Sequence, residues 1–269
     1  MGTSLTEQAQ AVAQAFVAAR RAARVLECFP GERPQDLASA YSIQDAAIMF
    51  DGRSVAGWKV GKINPPDDAR LGNNRLAGPV FADTITEAAS GEVPVMPVFA
   101  GGFAAAEAEL LLHVAPGWNG VVPRDDAGTR AILDDVRLGI EIASSPYPGI
   151  NADGPTVTAS DFGNNAGLVI GTALDGWETL DLCEIEVSTS IDGTEVGRAT
   201  AATMLDGPFG AVRFLLSNLT ERGIDPSAGL WVSTGAITGV HPVQPGQSVE
   251  ARFGPHGVVK CIISAAVAS

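Results

Sequence analysis

The alternation of apolar and polar positions gives this chain two textures. Over residues 4–26 the stretch TEQAQAVAQAFVAARRAARVL sets Val12, Phe16, Val17 and Ala23 at helical spacing in an Ala-rich background, which predicts a helix with Thr6 as its N-cap. A second helix is predicted over residues 34–50, where SIQDAAIMF opens on a capping Ser42. From Gly52 onward short β-like runs take over: VAGWKVG, AELLLHVA, LGIEIA, AGLVIG, CEIEVSTSI, LWVSTGAI, VEARF and VVKCIISAAV. Gly, Pro, Asn and Asp separate them, and Asp192-Gly193 between two alternating runs is a hairpin signal. Two helical stretches interrupt the strands, over residues 127–136 and 209–222, the second with Val212, Leu215, Leu216 and Leu219 on one face. The pattern therefore predicts an α+β fold in which a helical segment (residues 1–50) packs on a mixed β-sheet core (residues 51–269).

Composition narrows the class. A hydrophobic fraction of 46% against 18% charged residues is too apolar for a disordered chain. The net charge of −14 repels phosphate backbones and anionic membrane surfaces, so neither nucleic acid nor membrane is an expected partner. The same field repels a free small acid, so binding one requires local positive charge from basic side chains or a cation. Cys28, Cys183 and Cys261 are few, widely spaced and without a CxxC, which favours incidental thiols in a reducing, cytoplasmic setting. The opening MGTSLTEQAQ shows no apolar signal core, and Gly2 with Thr6 fits only the loosest acylation pattern. The most apolar stretch, residues 93–115, is broken by prolines, glycines and two glutamates and cannot form a lipid-spanning helix.

Those two glutamates open the chemistry. In a strand, Glu107 and Glu109 share one face while Ala108 and Leu110 take the other. Adjacent carboxylates in an apolar strand repel, and burying them uncompensated is costly; a hard divalent cation relieves both problems. An exposed, solvated strand face is the plain alternative. Glu141 is a further lone carboxylate in an apolar run, Gly139-Ile140-Glu141-Ile142, and would supply a third oxygen ligand. Lys59, between apolar neighbours in Gly57-Trp58-Lys59-Val60-Gly61, would on burial have a lowered pKa and could exchange protons near neutrality. The polar, Gly-rich stretch holding Thr158, Ser160, Asp161, Asn164 and Asn165 reads as a turn able to line a site. Glu184 and Glu186 repeat the Glu-x-Glu spacing but precede the hairpin and read as its solvated face. The histidines and cysteines have no zinc spacing, and no nucleotide or serine-hydrolase motif is present.

Taken in order, Gly57-Trp-Lys-Val-Gly61, Leu71-Gly72, Gly78-Pro-Val-Phe-Ala82, Glu107-Ala-Glu109, Ile140-Glu141, Asp161 with Asn165-Ala-Gly167, and Ser233-Thr-Gly-Ala-Ile-Thr-Gly239 resemble the 2-keto-4-pentenoate hydratase/4-oxalocrotonate decarboxylase family of the fumarylacetoacetate hydrolase superfamily. The resemblance runs through nearly the whole chain. It implies a mixed β-roll with N-terminal helices, assembled as a homo-oligomer. It implies Mg²⁺ or Mn²⁺ on Glu107, Glu109 and Glu141, with Lys59 moving protons in the pocket. The reaction implied is hydration or decarboxylation of a small 2-oxo or 2-hydroxydienoate acid of aromatic catabolism. Ser160, Asp161 and Thr238 are substrate-binding candidates on the same footing. The chain departs from the family where Asn73-Asn74-Arg75-Leu76-Ala77 replaces a Glu-Pro-Asp-like stretch, and where Lys62 follows Gly61 in place of a smaller or apolar residue. The added Lys62 is a candidate to meet a second substrate carboxylate. The competing expectations are hydrolysis of an acylpyruvate carbon–carbon bond, which a histidine-assisted water would favour, and a non-catalytic acid-binding relative.

Overall fold

Two helices form where the helical period predicts them. Helix α1 (Leu5–Arg21) buries Val12, Phe16 and Val17, and helix α2 (Leu37–Asp51) buries Tyr41, Ile43 and Ala47. The structure is a computed structural model, and it describes residues 5–88 and 91–268. Helix α1 begins one residue ahead of Thr6, whose side chain lies outside the described residues, as does Gly2. It stops at Arg21 rather than at residue 26, because the chain turns at Ala23 with a φ of 47°. The cap of α2 is Asp36, whose carboxylate accepts from Ser39 N at 2.7 Å, and Gly52 closes the helix at a φ of 71°. Ser42 lies inside the helix and donates back to Ala38 O at 3.0 Å, so it is not the predicted cap.

The remaining elements follow in chain order. They are β1 (Val55–Lys62), α3 (Asp67–Leu71), β2 (Arg75–Phe81), β3 (Ile85–Glu87), β4 (Val95–Val98), β5 (Phe103–Val114), α4 (Asp126–Arg130) and β6 (Leu133–Ser145). Then come α5 (Pro155–Ser160), β7 (Asn165–Ala173), β8 (Glu186–Ile191), β9 (Thr194–Thr200), α6 (Gly207–Glu221), β10 (Leu230–Ser233), β11 (His241–Pro242), β12 (Ser248–Phe253) and β13 (Val258–Ala265). The larger sheet has the order β2-β1-β10-β5-β6-β7-β3, with β11 added beside β5. Its β1–β10 and β3–β7 pairs are parallel and its other pairs antiparallel. The smaller sheet runs β4-β13-β12-β8-β9.

Three local expectations give way to tertiary pairing. The helix predicted over residues 127–136 is only the short α4; from Leu133 the chain is β6, registered against β5 so that Leu138 faces Leu110 and Ile140 faces Ala108. The alternating buried residues Val136, Leu138, Ile140 and Ile142 have a better partner in β5 than a helix would offer. The run read as one strand from Leu230 to Ile237 leaves the sheet after Ser233. The polar turn around Ser160 is mostly helix α5 and a 3₁₀ turn, Phe162–Asn164. The hairpin stands as predicted: Asp192 and Gly193, at φ 50° and 77°, join β8 to β9 in the left-handed conformation of a primed turn.

One face of the larger sheet is the main core. Ala108, Leu110 and Leu112 of β5 and Ile140 and Ile142 of β6 pack with Val212, Leu215, Leu216 and Leu219 of α6 and with Val249, Ala251 and Phe253 of β12. Each large side chain buried there stabilises the fold by roughly 1.5–3 kcal/mol. The opposite face looks toward the N-terminal helices, where Phe16 and Val17 meet Phe81 and Phe162. Helix α2 also covers the β2 edge: Gln44 donates to Ala77 O at 2.9 Å, and Tyr41 Oη accepts from Ala77 N at 3.0 Å. Among the described residues no helix is long and apolar enough to cross a membrane.

A candidate metal centre

Strand alternation sends Glu107 and Glu109 of β5 to the face away from the main core. The β5–β6 register sets Glu141 directly opposite Glu107. All three are buried, and one carboxylate oxygen from each lies within 4.8 Å of the others. Like charges directly opposed on neighbouring strands are destabilising, and here nothing dilutes them with water. Among the described residues, the ion pair to this trio comes from β1. Lys59 of β1, also buried, places Nζ 3.3 Å from Glu141 Oε2 as an ion pair, off the hydrogen-bonding direction, and 3.4 Å from Asn164 Oδ1.

Part of the carboxylate set is fixed by hydrogen bonds. Glu109 Oε2 accepts from Ser233 Oγ at 2.5 Å and from Gly235 N at 3.0 Å, and Glu141 Oε1 accepts from Asn165 Nδ2 at 2.8 Å. The other oxygens, Glu109 Oε1 and Glu141 Oε2, have no hydrogen-bond partner. Buried carboxylate oxygens without donors are costly, and oxygens held this close are what a hard divalent cation takes. The donor set therefore fits such an ion.

The electrostatics agree. Burial, countered by Lys59 and reinforced by Glu141, pushes the Glu107 carboxyl up to about 7. Burial and then repulsion from Glu141 and Glu107 push Glu109 well above the usual carboxylate range, with Lys59 and the Ser233 hydroxyl pulling against them. For Lys59, burial would lower the pKa, but the combined pull of Glu141, Glu107 and Glu109 outweighs it and holds the ammonium above its ordinary value. The lowered lysine pKa expected from the sequence is thus corrected. Burial was foreseen, and the three carboxylates around the amine reverse its effect.

Glycines make the crowding possible. A Cβ on Gly78 would lie 2.1 Å from Phe162 O, so only glycine lets β2 approach the turn that carries Asn164. The site opens into a cavity of about 690 Å³ whose wall includes Lys59, Glu107, Asn164, Thr158, Lys62 and Arg75.

The remaining candidates divide. Lys62 and Thr238 line the cavity, and Thr238 Oγ1 also bonds Thr189 Oγ1 at 2.7 Å and His241 Nε2 at 3.1 Å. Ser160 and Asp161 are not among the residues that line it. The Ser160 hydroxyl donates back to Thr156 O at 2.8 Å inside α5. Both oxygens of Asp161 are taken: Arg20 Nε and Nη2 donate to them at 2.6 and 2.9 Å, and Ser145 Oγ donates at 2.6 Å. Arg20 also donates to Asn165 O at 3.0 Å, so this pair ties α1 to the strand that orients Glu141's partner. Ser233 and Asn165 sit in stretches whose order the sequence reading used, but it gave neither a role; their proximity to Glu109 and Glu141 depends on strand pairing. Arg75, buried in the cavity wall, was noticed only as a departure from the family pattern.

A curled mixed sheet with this N-terminal cover is the fumarylacetoacetate hydrolase type of fold, and solved structures bear it out. The structure of 4-oxalocrotonate decarboxylase from Pseudomonas putida G7, complexed with magnesium and adipate, superposes with a TM-score of 0.79 over 98% of this chain and 100% of that one, at 23% identity. Fumarylpyruvate hydrolase from Pseudomonas aeruginosa, in complex with Mn²⁺ and pyruvate, matches more distantly, with a TM-score of 0.56 over 78% of this chain and 90% of that one, at 15% identity. In sequence, the chain is 30% identical to 4-oxalocrotonate decarboxylase of Pseudomonas putida over 123 residues, a match spanning 46% of the length of each. It is 24% identical to 2-keto-4-pentenoate hydratase of Paraburkholderia xenovorans over 254 residues, 94% of this chain and 93% of that one. No family profile matches the chain. The resemblance to the hydratase/decarboxylase family carried by the ordered motifs is therefore found again in whole-length similarity and in fold.

Proposed function

We propose that this protein is a divalent-metal-dependent lyase, a hydratase or decarboxylase acting on a small 2-oxo or 2-hydroxydienoate acid. The observation that carries the reading is the buried trio Glu107, Glu109 and Glu141, with two carboxylate oxygens lacking donors, beside Lys59 in a cavity wall. These three glutamates would hold Mg²⁺ or Mn²⁺. When bound, such an ion supplies Lewis-acid stabilisation of negative charge on the 2-oxo oxygen and carboxylate of the acid.

The chain's own residues supply the rest. Ser233 and Gly235 N lock one oxygen of Glu109, and Asn165 locks one of Glu141, leaving the other oxygens without a hydrogen-bond partner. Lys59 Nζ holds its proton and is steered by Asn164 Oδ1, so its first act on a bound acid is to donate a hydrogen bond or a proton. Asn164 is itself fixed through Nδ2 to Asn151 Oδ1 at 3.0 Å, which keeps the amide oxygen turned toward the amine. Among the described residues no histidine lines the cavity, so the hydrolytic alternative lacks the water-activating group it would favour. Names of similar proteins support the same class: a decarboxylase and a hydratase by sequence, and a magnesium-bound decarboxylase by fold. A cytoplasmic homo-oligomer serving aromatic catabolism is the setting that accompanies this reading.

The test is a panel of 2-oxo and 2-hydroxydienoate acids with Mg²⁺, following loss of enolate absorbance and release of carbon dioxide. Turnover that vanishes on chelation and returns with Mg²⁺ is expected. Full turnover in the presence of a chelator, or in Lys59→Ala, would sink the assignment.

A further inference from the structure

The hydrogen-bond chain that begins at Lys59 does not stop at Asn164. Lys59 Nζ donates to Asn164 Oδ1 at 3.4 Å, so Asn164 turns its amide nitrogen the other way, and Nδ2 donates to Asn151 Oδ1 at 3.0 Å. Thr158 Oγ1 lies 3.1 Å from the same Asn151 oxygen. An asparagine side chain carries one carbonyl oxygen and one NH₂ on a planar group, so fixing the oxygen also fixes the nitrogen. Asn151 Nδ2 has no hydrogen-bond partner among the described residues. Asn151 is exposed and lines the cavity that also holds Lys59 and Glu107. With its oxygen occupied, the nitrogen is the half of this amide left to meet a molecule in the cavity. The loop that carries it, between β6 and α5, is braced. Asp153 N donates to Gly149 O at 2.9 Å, and Gly154 N donates to Asn151 O at 3.2 Å. The Asp153 carboxylate accepts from Tyr147 Oη and pairs with Arg33 Nη2 at 2.6 Å. A donor held in this way loses little freedom on meeting a ligand.

We propose that Asn151 is a further substrate-binding residue, donating from Nδ2 to an uncharged acceptor oxygen on the chain of the acid beyond its 2-oxo group. The proposal rests on the metal-centred reading above and specifies the substrate within it. In that reading the carboxylate and 2-oxo oxygen of the acid are held at the glutamate cluster beside Lys59. Asn151 stands two hydrogen bonds from Lys59, on the wall that the rest of the acid follows. Its amide carries no charge, and one neutral donor offsets the lost hydration of a carbonyl or ether oxygen. A carboxylate is more strongly hydrated and would lose more than a single amide returns. The two ends of this amide thus act on different partners: the oxygen steadies the Asn164 that steers Lys59, and the nitrogen reads the ligand.

Isothermal titration of the Mg²⁺-loaded full-length protein with two unreactive oxamates, whose head stands in for a 2-oxo acid, tests the contact. N-(2-oxopropyl)oxamate and N-isobutyloxamate have the same number of heavy atoms, and only the first carries a ketone oxygen beyond the head. The quantity read is the ratio of their affinities, which cancels any general effect on the shared anionic head. From wild type to Asn151→Ala this ratio should fall by about three- to tenfold, the range of one neutral hydrogen bond. Asn151→Asp keeps an oxygen for Asn164 Nδ2 but turns the donor into a charged acceptor, so the ratio should fall further still. Asn151 is exposed, so both variants should keep the Mg²⁺-induced rise in Tm, which reports folding. A ratio unmoved in both variants overturns the contact and leaves the metal centre standing. So does a ratio that moves in one variant alone, since loss of the Asn164 partner in Asn151→Ala or the new charge in Asn151→Asp then accounts for it. Absence of Mg²⁺-dependent binding of either oxamate to wild type overturns both readings together.

Discussion

The same three-residue pattern occurs twice in this chain with opposite fates. Glu107 and Glu109 lie in the middle of a twelve-residue strand, buried, facing Glu141 and Lys59. Glu184 and Glu186 straddle the end of a 3₁₀ turn and the start of β8, exposed, with Glu186 paired to Arg198 at 2.6 Å. In the first pair, strand geometry aims both carboxylates at one point and strand neighbours seal it from water. In the second, the turn breaks the alternation and solvent screens each charge. Spacing sets only which way two side chains can point; the company they keep decides whether the pair is a binding site or a wetted edge.

The arginine partners of these regions sharpen the contrast with the largest expected effect. Arg20–Asp161 is sealed, at 7% and 0% side-chain exposure, whereas Arg198–Glu186 stands at 51% and 60%. Arg20→Ala should destabilise the protein by about 3–5 kcal/mol, since it strands a buried charge. Arg198→Ala should cost ~1 kcal/mol or less. Urea denaturation of both variants gives the comparison, and similar losses would dissolve it.

Next in size is the metal affinity. Glu109→Gln should weaken Mg²⁺ binding by more than the ~10–100-fold typical of losing an outer-shell contact, measured by calorimetry and by the Mg²⁺-induced rise in Tm. An unchanged Mg²⁺ response in this variant would mean that the glutamates do not form the site.

A pH effect of definite sign follows from the raised carboxyls. A carboxyl whose folded pKa exceeds its unfolded value stabilises the fold below the unfolded value, and that stability is lost as pH rises through the folded one. With Glu107 at about 7 and Glu109 also raised, the metal-free protein should melt at lower temperature at pH 8 than at pH 6. Mg²⁺ should narrow the gap, with proton release on binding near pH 7, because the ion replaces the protons that metal-free carboxylates retain. Melting in EDTA and in Mg²⁺ at the two pH values checks this; a metal-free Tm that rises toward pH 8 contradicts it.

The smallest effect belongs to the peripheral pair. Glu186→Gln should change stability by no more than ~0.5 kcal/mol and leave the Mg²⁺ response intact. A large effect on metal binding there would show that exposure is a poor guide to which Glu-x-Glu pair matters.

What was legible in the sequence was local. Strand alternation put Glu107 and Glu109 on one face, the helical period placed α1 and α6, and Asp192-Gly193 dictated its hairpin, because each depends on residues a few positions apart. Glu141 and Lys59 were recruited by the order of motifs rather than by any spacing. The misreadings share one cause. Residues 133–136 have a helical neighbourhood but a strand partner in β5, and the stretch around Asp161 reads as a turn but is helix α5 and a 3₁₀ turn tied to Arg20 of α1.

Tertiary structure alone decided the chemistry of the centre. The opposition of Glu107 and Glu141 and the donors from Ser233 and Asn165 are matters of register between distant segments. So is the charge on Lys59, which burial would have removed and three carboxylates restore. The sequence by itself determined which side chains are available and the direction each can face along its own strand. Pairing across the sheet determined their neighbours and hence their charge, because electrostatic energy depends on distance and solvent access rather than on position along the chain.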